Sequence, residues 1–289
     1  MKVEAVTVCV NYAGELREVA AFNRPHFDRW VVVTRAGDHA TREVCRQYSM
    51  EVLLSDDFDR DGPFNKARAI NRGLAMLRGD SWQMHIDADI ALPMDFDAVL
   101  ADAHLDEKCI YGCDRFNVTS VEAWNRVKAK GLLARSNGWS IDMDRQDCKI
   151  GARVANREYG YTPIGFFQLW HGPTHVSHGM MPRMYPIQHG TAARTDVQHA
   201  YQWDRRRRVL IPELMVWHLE PGNAPMGANW NGRTTPAFGA TSNNGGNNGG
   251  GSGGNNGGSA GNTGGGNPAN ASTANTKDGQ PVTGSTNGY

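Results

Sequence analysis

Apolar and polar positions fall into alternating blocks over the first 95 residues. AVTVCVNY (5–12) is a β-rich run, ELREVAAFN (15–23) has helical composition, and RWVVVTRAGD (29–38) is a second strand ending in a Gly-Asp turn. HATREVCRQYS (39–49) reads as a helix, MEVLLSDDF (50–58) as a third strand, FNKARAINRGLAML (64–77) as a helix and WQMHIDADI (82–90) as a fourth strand. In the 64–77 helix, Phe64, Ala67, Ile70, Leu74 and Leu77 recur at three- and four-residue spacings and define a core face. Strand–helix alternation with short connections predicts an α/β fold: a mostly parallel sheet flanked by helices on both faces. Ligands of such sheets bind outside the carboxyl ends of the strands.

Beyond residue 95 the pattern loosens. A helix is expected over 96–105, a strand over 109–118, a helix over 121–133 and a strand over 208–220. The segment 135–195, rich in Gly, Pro, His and aromatics, reads as loops, and there is no internal repeat. From Thr241 the chain is Gly- and Asn-rich without apolar periodicity, which cannot repay the entropy of ordering. The expected organisation is one domain over 1–240, split into halves 1–95 and 96–240, followed by a disordered tail over 241–289.

Lys plus Arg and Asp plus Glu both number 30, which argues against a generally basic nucleic-acid binder and leaves room for a local patch. The obvious local run is WDRRRRVL (203–210); a solvated helix end offset by Asp204 and Glu213 is weighed ahead of a phosphate grip. The five cysteines are widely spaced, with Cys109 and Cys113 the one close pair, so reduced buried thiols are expected rather than a zinc site. A histidine-based zinc site among His171, His175, His178 and His189 is the rival metal reading, and their spacings match no standard ligand pattern. Lys2 and Glu4 lead directly into a strand-like run, and no apolar run reaches membrane-span length, so a cytoplasmic protein is expected.

The chemistry concentrates at HIDADIALP (85–93), where Asp87 and Asp89 flank one alanine at a strand end. Two carboxylates at this spacing can share a hard divalent cation, and such a cation neutralises phosphate oxygens. The plainer reading is an exposed turn or a helix cap. Upstream, Asn65, Lys66 and Arg68 stand in the first turns of the 64–77 helix, where free N–H groups and the dipole favour anions. Arg72 and Arg78 read as solvent residues.

FNKARAINRGL followed by a strand ending HIDADIALP resembles the donor half of a GT-A fold glycosyltransferase, similar to family-2-like and galactosyltransferase-like members. The resemblance is strongest over 5–95 and extends weakly to about 222. It implies a D-x-D motif, Asp87 and Asp89, holding Mn²⁺ or Mg²⁺ against the diphosphate of a nucleotide sugar, with a UDP-sugar favoured. It implies donor contacts from Asn65, Lys66, Arg68 and Asn71 on the helix. Further donor contacts are implied from strand-end positions, among Asn11, Tyr12, Thr34, Asp38, Asp56 and Asp57, with Thr34 and Asp57 singled out; any of these acids can instead cap a helix.

Three later segments fit the same resemblance. PIGFFQLWHG (163–172) is similar to the loop where donor and acceptor sugars meet, with Phe166, Phe167 and Trp170 as a platform or as ordinary core. TDVQHAYQW (195–203) resembles the segment supplying the catalytic base, which makes Asp196 the base; Thr195 stands where many inverting members have Glu. Asp196 can also belong to a helix N-cap, and Asp204 is the weaker alternative base. VWHLEPG (216–222) places His218 where related members complete the metal site.

The expected function is therefore metal-dependent, inverting transfer of a sugar from a nucleoside-diphosphate sugar to a hydroxyl acceptor: a glycan, a small molecule or a modified nucleic-acid base. The alternatives are a nucleotidyltransferase, against which the single glycine of NYAGEL counts, and a catalytically dead binding module.

Overall fold

Val3–Val8 (β1) is buried at all six positions, which a β-rich run achieves only in the middle of a sheet covered on both faces. The computed structural model describes residues 1–136, 148–172, 184–220, 229–233 and 237–238. Met1–Ser242 form one unit; the second, Asn243–Tyr289, lies wholly outside the described residues, and with it the tail read from the sequence.

In β1, parallel pairing on one side brings Arg29–Thr34 (β2), with Glu51–Leu54 (β3) beyond it at the edge. Trp82–Ile86 (β4) runs parallel on the other side of β1. Ile90–Ala91 (β5), Ile110–Val118 (β6), Cys148–Ile150 (β7), Ala155–Asn156 (β8), Gly160–Tyr161 (β9), Phe167–His171 (β10) and Arg208–Leu219 (β11) follow. The nine-stranded sheet has the order β3-β2-β1-β4-β10-β6-β11-β5, with β7 attached to β6, while β8 and β9 form a separate hairpin. β10 is antiparallel to both neighbours and β11 is parallel to β6, so the sheet is mixed and mostly parallel.

Helices cover both faces. Leu16 and Ala20 of Ala13–Asn23 (α1), Val44 and Cys45 of His39–Gln47 (α2), and Phe96 and Leu100 of Phe96–Asp102 (α4) pack on Val3, Ala5, Met84 and Ile86. On the opposite face, Ala67, Ile70 and Leu74 of Lys66–Leu74 (α3) meet Val6, Val8, Val31 and Val33. A Cβ on Gly73 would stand 2.5 Å from Val6 Cγ1 and 2.9 Å from Val33 Cγ2, so the bare glycine lets α3 ride directly on the sheet. Val121–Ala129 (α5) packs over β6 and β11, and Thr195–Ala200 (α6) closes the α3 side.

Two segments differ from their sequence reading. PIGFFQLWHG is expected as a loop, yet Phe167–His171 is a central strand between β4 and β6. Phe167, Gln168, Leu169 and Trp170 are all buried, so both faces are covered and no alternation marks the strand. The fourth strand ends at Ile86 rather than 90: Asp87 N–H donates to the Phe166 carbonyl at 3.1 Å and Ile90 N–H to the Asp87 carbonyl at 3.4 Å, forming a turn before β5. The five cysteines are buried and free, and burial pushes the Cys45 thiol up to about 12. No helix among the described residues is long and apolar enough to cross a membrane.

Candidate active site

The Asp-Ala-Asp turn projects from the carboxyl end of β4, and three separate elements bring side chains to it. The first is α3. Asn65 caps it, its Oδ1 accepting from Arg68 N–H at 3.2 Å, and this fixes Lys66 as the first helical residue. Lys66 Nζ then lies 2.5 Å from Asp87 Oδ1. Burial alone would lower the Lys66 pKa, but the charge and hydrogen bond of Asp87, with Asp196 and Asp89 beyond it, outweigh that and raise it. His85 Nε2 stands 3.6 Å from the same Asp87 oxygen. Its ring is buried with neither nitrogen hydrogen-bonded, and burial, helped by the Lys66 charge, lowers its pKa well below the usual value and keeps it neutral.

The second element is β11, whose pairing with β5 sets His218 opposite Ile90, and with β6 opposite Asn117. His218 Nε2 lies 3.5 Å from Asp89 Oδ2, while Nδ1 faces Asn117 Oδ1 at 3.3 Å and Glu220 Oε2 at 3.8 Å. The Asp89 Oδ1 atom is buried and has no hydrogen-bond partner.

The third is the first turn of α6. Gly165 N–H donates to Asp196 Oδ2 at 2.6 Å. A Cβ on Gly165 would stand 3.0 Å from Asp196 Cβ and 3.1 Å from Oδ2, so the carboxylate is seated against a residue that has no side chain. Burial raises the Asp196 pKa; the N–H groups of Gly165 and Val197 and the Lys66 charge oppose this, and Asp87 adds to it, leaving a net rise.

Lys66, Asp87, Asp89, Asp196 and His218 line one cleft of about 690 Å³. Its lining includes Val8 at the end of β1 and Val10 and Tyr12 just after it. Carboxylate oxygens and an imidazole suit a Mn²⁺-class ion, and the unpartnered Asp89 Oδ1 is the kind of atom such an ion satisfies. The side chains present fit that group through Asp89 and His218, while Asp87 is engaged by Lys66. As the side chains stand, no group of three His, Cys, Asp or Glu among the described residues is placed to hold a metal.

Of the other donor candidates Tyr12 lines the cleft, while six are engaged elsewhere. Asn71 Nδ2 donates to the Tyr185 carbonyl at 2.8 Å, and its Oδ1 accepts from Tyr185 N–H at 2.7 Å. Besides capping α3, Asn65 donates to the Ile187 carbonyl at 2.9 Å. Arg68 pairs with Asp61, Asp57 with Arg60 at 3.2 Å and Arg72 at 3.6 Å, and Thr34 Oγ1 with Asp38 Oδ2 at 3.3 Å. Asp38 caps α2. The alternative base Asp204 is exposed and is not part of the cleft lining, whereas Asp196 is. Of the proposed aromatic platform, Phe166 lines the cleft while Phe167 and Trp170 belong to the core. His175 and His178 lie outside the described residues, and His171 Nδ1 faces Glu107 Oε2 at 3.4 Å.

The sequence reading passed over three cationic residues of the cleft. Arg115 lies over the Phe166 ring at 4.4 Å, Arg194 precedes α6 in a left-handed conformation (φ 61°), and Arg233 lies over the Tyr12 ring at 3.9 Å and pairs with the buried Glu15. Only Arg115 carried a local signal, an Asp-Arg pair inside a strand-like run.

No family model matches the chain, and no curated protein matches it. Among solved structures it matches mannosyl-3-phosphoglycerate synthase from Rubrobacter xylanophilus at 26% identity, over 40% of each chain, with a TM-score of 0.30. It also matches glucosyl-3-phosphoglycerate synthase from Mycobacterium tuberculosis in complex with Mn²⁺ and uridine-diphosphate-glucose, at 14% identity over 78% of this chain and 72% of that one, with a TM-score of 0.46. A further structure of the latter protein, with Mn²⁺, uridine diphosphate and glucosyl-3-phosphoglycerate, matches at 18% identity over 39% of this chain and 44% of that one, with a TM-score of 0.33. The chain thus spans 40% and 44% of the chains in two of these matches and 72% in the other. The fold class expected from the sequence, α/β with a mostly parallel sheet flanked by helices, is the one observed.

Proposed function

We propose that this protein is a metal-dependent glycosyltransferase that moves a sugar from a nucleoside-diphosphate sugar, a UDP-sugar by preference, to a hydroxyl acceptor with inversion. The observation that carries this reading is the convergence of Lys66, Asp87, Asp89, Asp196 and His218 on one cleft at the strand ends. Asp89, His218 and Asp87 would hold Mn²⁺ or Mg²⁺, which supplies charge neutralisation for a leaving diphosphate.

The residues of the chain do the rest. Asp196 accepts the proton of the acceptor hydroxyl while that oxygen forms its bond to the anomeric carbon. The anomeric C–O bond to the diphosphate breaks on the opposite face, and the nucleoside diphosphate leaves. A carboxylate with a raised pKa is a better proton acceptor than an ordinary one, and burial supplies that rise at Asp196. The Lys66 ammonium, set free from Asp87, meets the charge that builds on the diphosphate.

The test is donor hydrolysis without acceptor, measured as released nucleoside diphosphate across a panel of UDP-, GDP- and TDP-sugars with and without Mn²⁺. Turnover of at least one UDP-sugar in Mn²⁺ is expected. No turnover of any donor, together with no thermal stabilisation by any, contradicts the reading.

A further inference from the structure

The arginine run left unused by the transferase reading is part of a surface. Arg205–Arg207 form a short 3-10 turn in which all three residues are exposed, and none forms an ion pair among the described residues. Arg208 starts β11, and its guanidinium lies 4.7 Å from the centre of the Tyr201 ring. Tyr201 in turn stacks on Tyr159, with ring centres 5.8 Å apart and planes 25° apart. Both tyrosines are large side chains left in solvent, 44% and 45% exposed.

The pieces are fastened together. Tyr159 lies in the β8–β9 hairpin two residues after Arg157 and is hydrogen-bonded to Glu158, and Gly160 follows with a φ of 70°. A Cβ there would stand 2.9 Å from Arg205 Cγ and Nε, so the bare glycine lets the Arg205 stem lie across the hairpin. The hairpin and the turn together carry Arg157, Arg205, Arg206, Arg207 and Arg208 against the acids Glu158 and Asp204, a local positive excess on a chain of zero net charge.

Guanidinium groups without carboxylate partners beside exposed, stacked aromatic rings match a polymer of phosphates and flat bases. In a duplex the base faces are hidden, so a single strand is the form that can use the rings. A lipid surface satisfies the charges but has no π-face to stack. We propose that Tyr159, Tyr201 and Arg205–Arg208 form a binding surface for single-stranded nucleic acid. Tyr201 terminates α6, whose first turn carries Asp196, and at 1.5 Å per residue the two stand about 8 Å apart along the helix. A nucleic-acid hydroxyl is then the acceptor class we would expect; that extension rests on the transferase reading, while the binding does not.

The experiment is fluorescence anisotropy with labelled single-stranded DNA and RNA 20-mers, their duplexes and anionic phosphatidylserine vesicles, over a salt series and without nucleotide sugar. Single strands are expected to bind more tightly than duplexes. Arg205→Ala/Arg206→Ala/Arg207→Ala should weaken binding tenfold or more and flatten the log–log salt slope by about 2, since each lost phosphate contact on a single strand removes roughly 0.7. Tyr159→Ala/Tyr201→Ala should weaken single-strand binding about tenfold or more without changing that slope. All substituted residues are exposed, so melting temperatures serve as the folding control. No binding at low salt, binding unaffected by both variants, equal affinity for duplex with no loss in the tyrosine variant, or capture by vesicles alone each overturns the proposal. Since Mn²⁺-dependent donor hydrolysis is scored separately, failure here and failure of the transferase reading are distinguishable.

Discussion

Lys66 Nζ lies 2.5 Å from Asp87 Oδ1, so the first carboxylate of the Asp-Ala-Asp turn already holds a cation. A divalent ion that uses Asp87 must displace that ammonium, and a diphosphate that takes up the ammonium makes Asp87 available. On the proposed function, metal and donor would therefore help each other to bind, and by linkage the help would be equal in both directions. Lys66→Met should tighten Mn²⁺ binding in the absence of nucleotide, by about tenfold, while weakening UDP binding. Calorimetric titration of both ligands checks this, and unchanged or weaker Mn²⁺ binding by the variant contradicts it.

The raised pKa of Asp196 fixes the sign of a pH effect. A general base works deprotonated, so kcat/KM should be level at high pH and fall as pH drops through the Asp196 pKa, with an acid limb above the ordinary carboxylate range. Asp196→Asn should cut kcat by about 10²–10⁴-fold and remove that limb, with donor affinity little changed. A variant that keeps wild-type kcat shows that another group is the base.

Gly165 offers a finer probe of the same carboxylate. A methyl group there would stand 3.0–3.2 Å from Asp196 side-chain atoms, so one of the two must move by a few tenths of an ångström. Gly165→Ala should lower kcat by about tenfold, less than the loss of about 10² that a full 1 Å misplacement can cause, and leave KM for the donor near the wild-type value. Equal kcat in the two proteins removes the positioning role assigned to this contact.

Asn71 predicts the reverse pattern. Its amide satisfies both backbone groups of Tyr185, so Asn71→Ala leaves two buried groups unpaired, at about 1–3 kcal/mol each. A melting temperature lowered by several degrees with little change in donor KM is expected; a raised KM at unchanged stability returns Asn71 to the donor site.

Asn71 also marks how far the sequence was legible. Hydrophobic runs and helical periodicity located β1 to β4 and α1 to α3, because each run is local and its apolar face is continuous. β10 escaped because it is covered on both faces and reads as aromatic composition without a period. The Asp87–Asp89 pair, a common motif alone, gained meaning from the FNKARAINRGL helix and the strand before it, and His218 from its place at a strand end in a segment that resembles the late metal-site segment of related members. Polar residues on α3 looked alike in sequence: Lys66 faces the cleft, while Asn65 and Asn71 tie down 185–187 from across the chain. Arg233 and Arg194 lie in irregular segments and had no local signature.

The central claim is that Asp89 and its neighbours hold a divalent ion and, through it, a nucleoside diphosphate. The direct measurement is the melting temperature of the wild-type protein and of Asp89→Ala with UDP, with Mn²⁺ and with both. At a hundredfold excess over Kd, UDP with Mn²⁺ should stabilise the wild-type protein by about 2.7 kcal/mol, a rise of roughly 5 °C, with a much smaller effect of UDP alone and none of the joint effect in Asp89→Ala. A wild-type protein that no nucleoside diphosphate stabilises in saturating Mn²⁺, or an Asp89→Ala variant that responds as the wild type does, contradicts it.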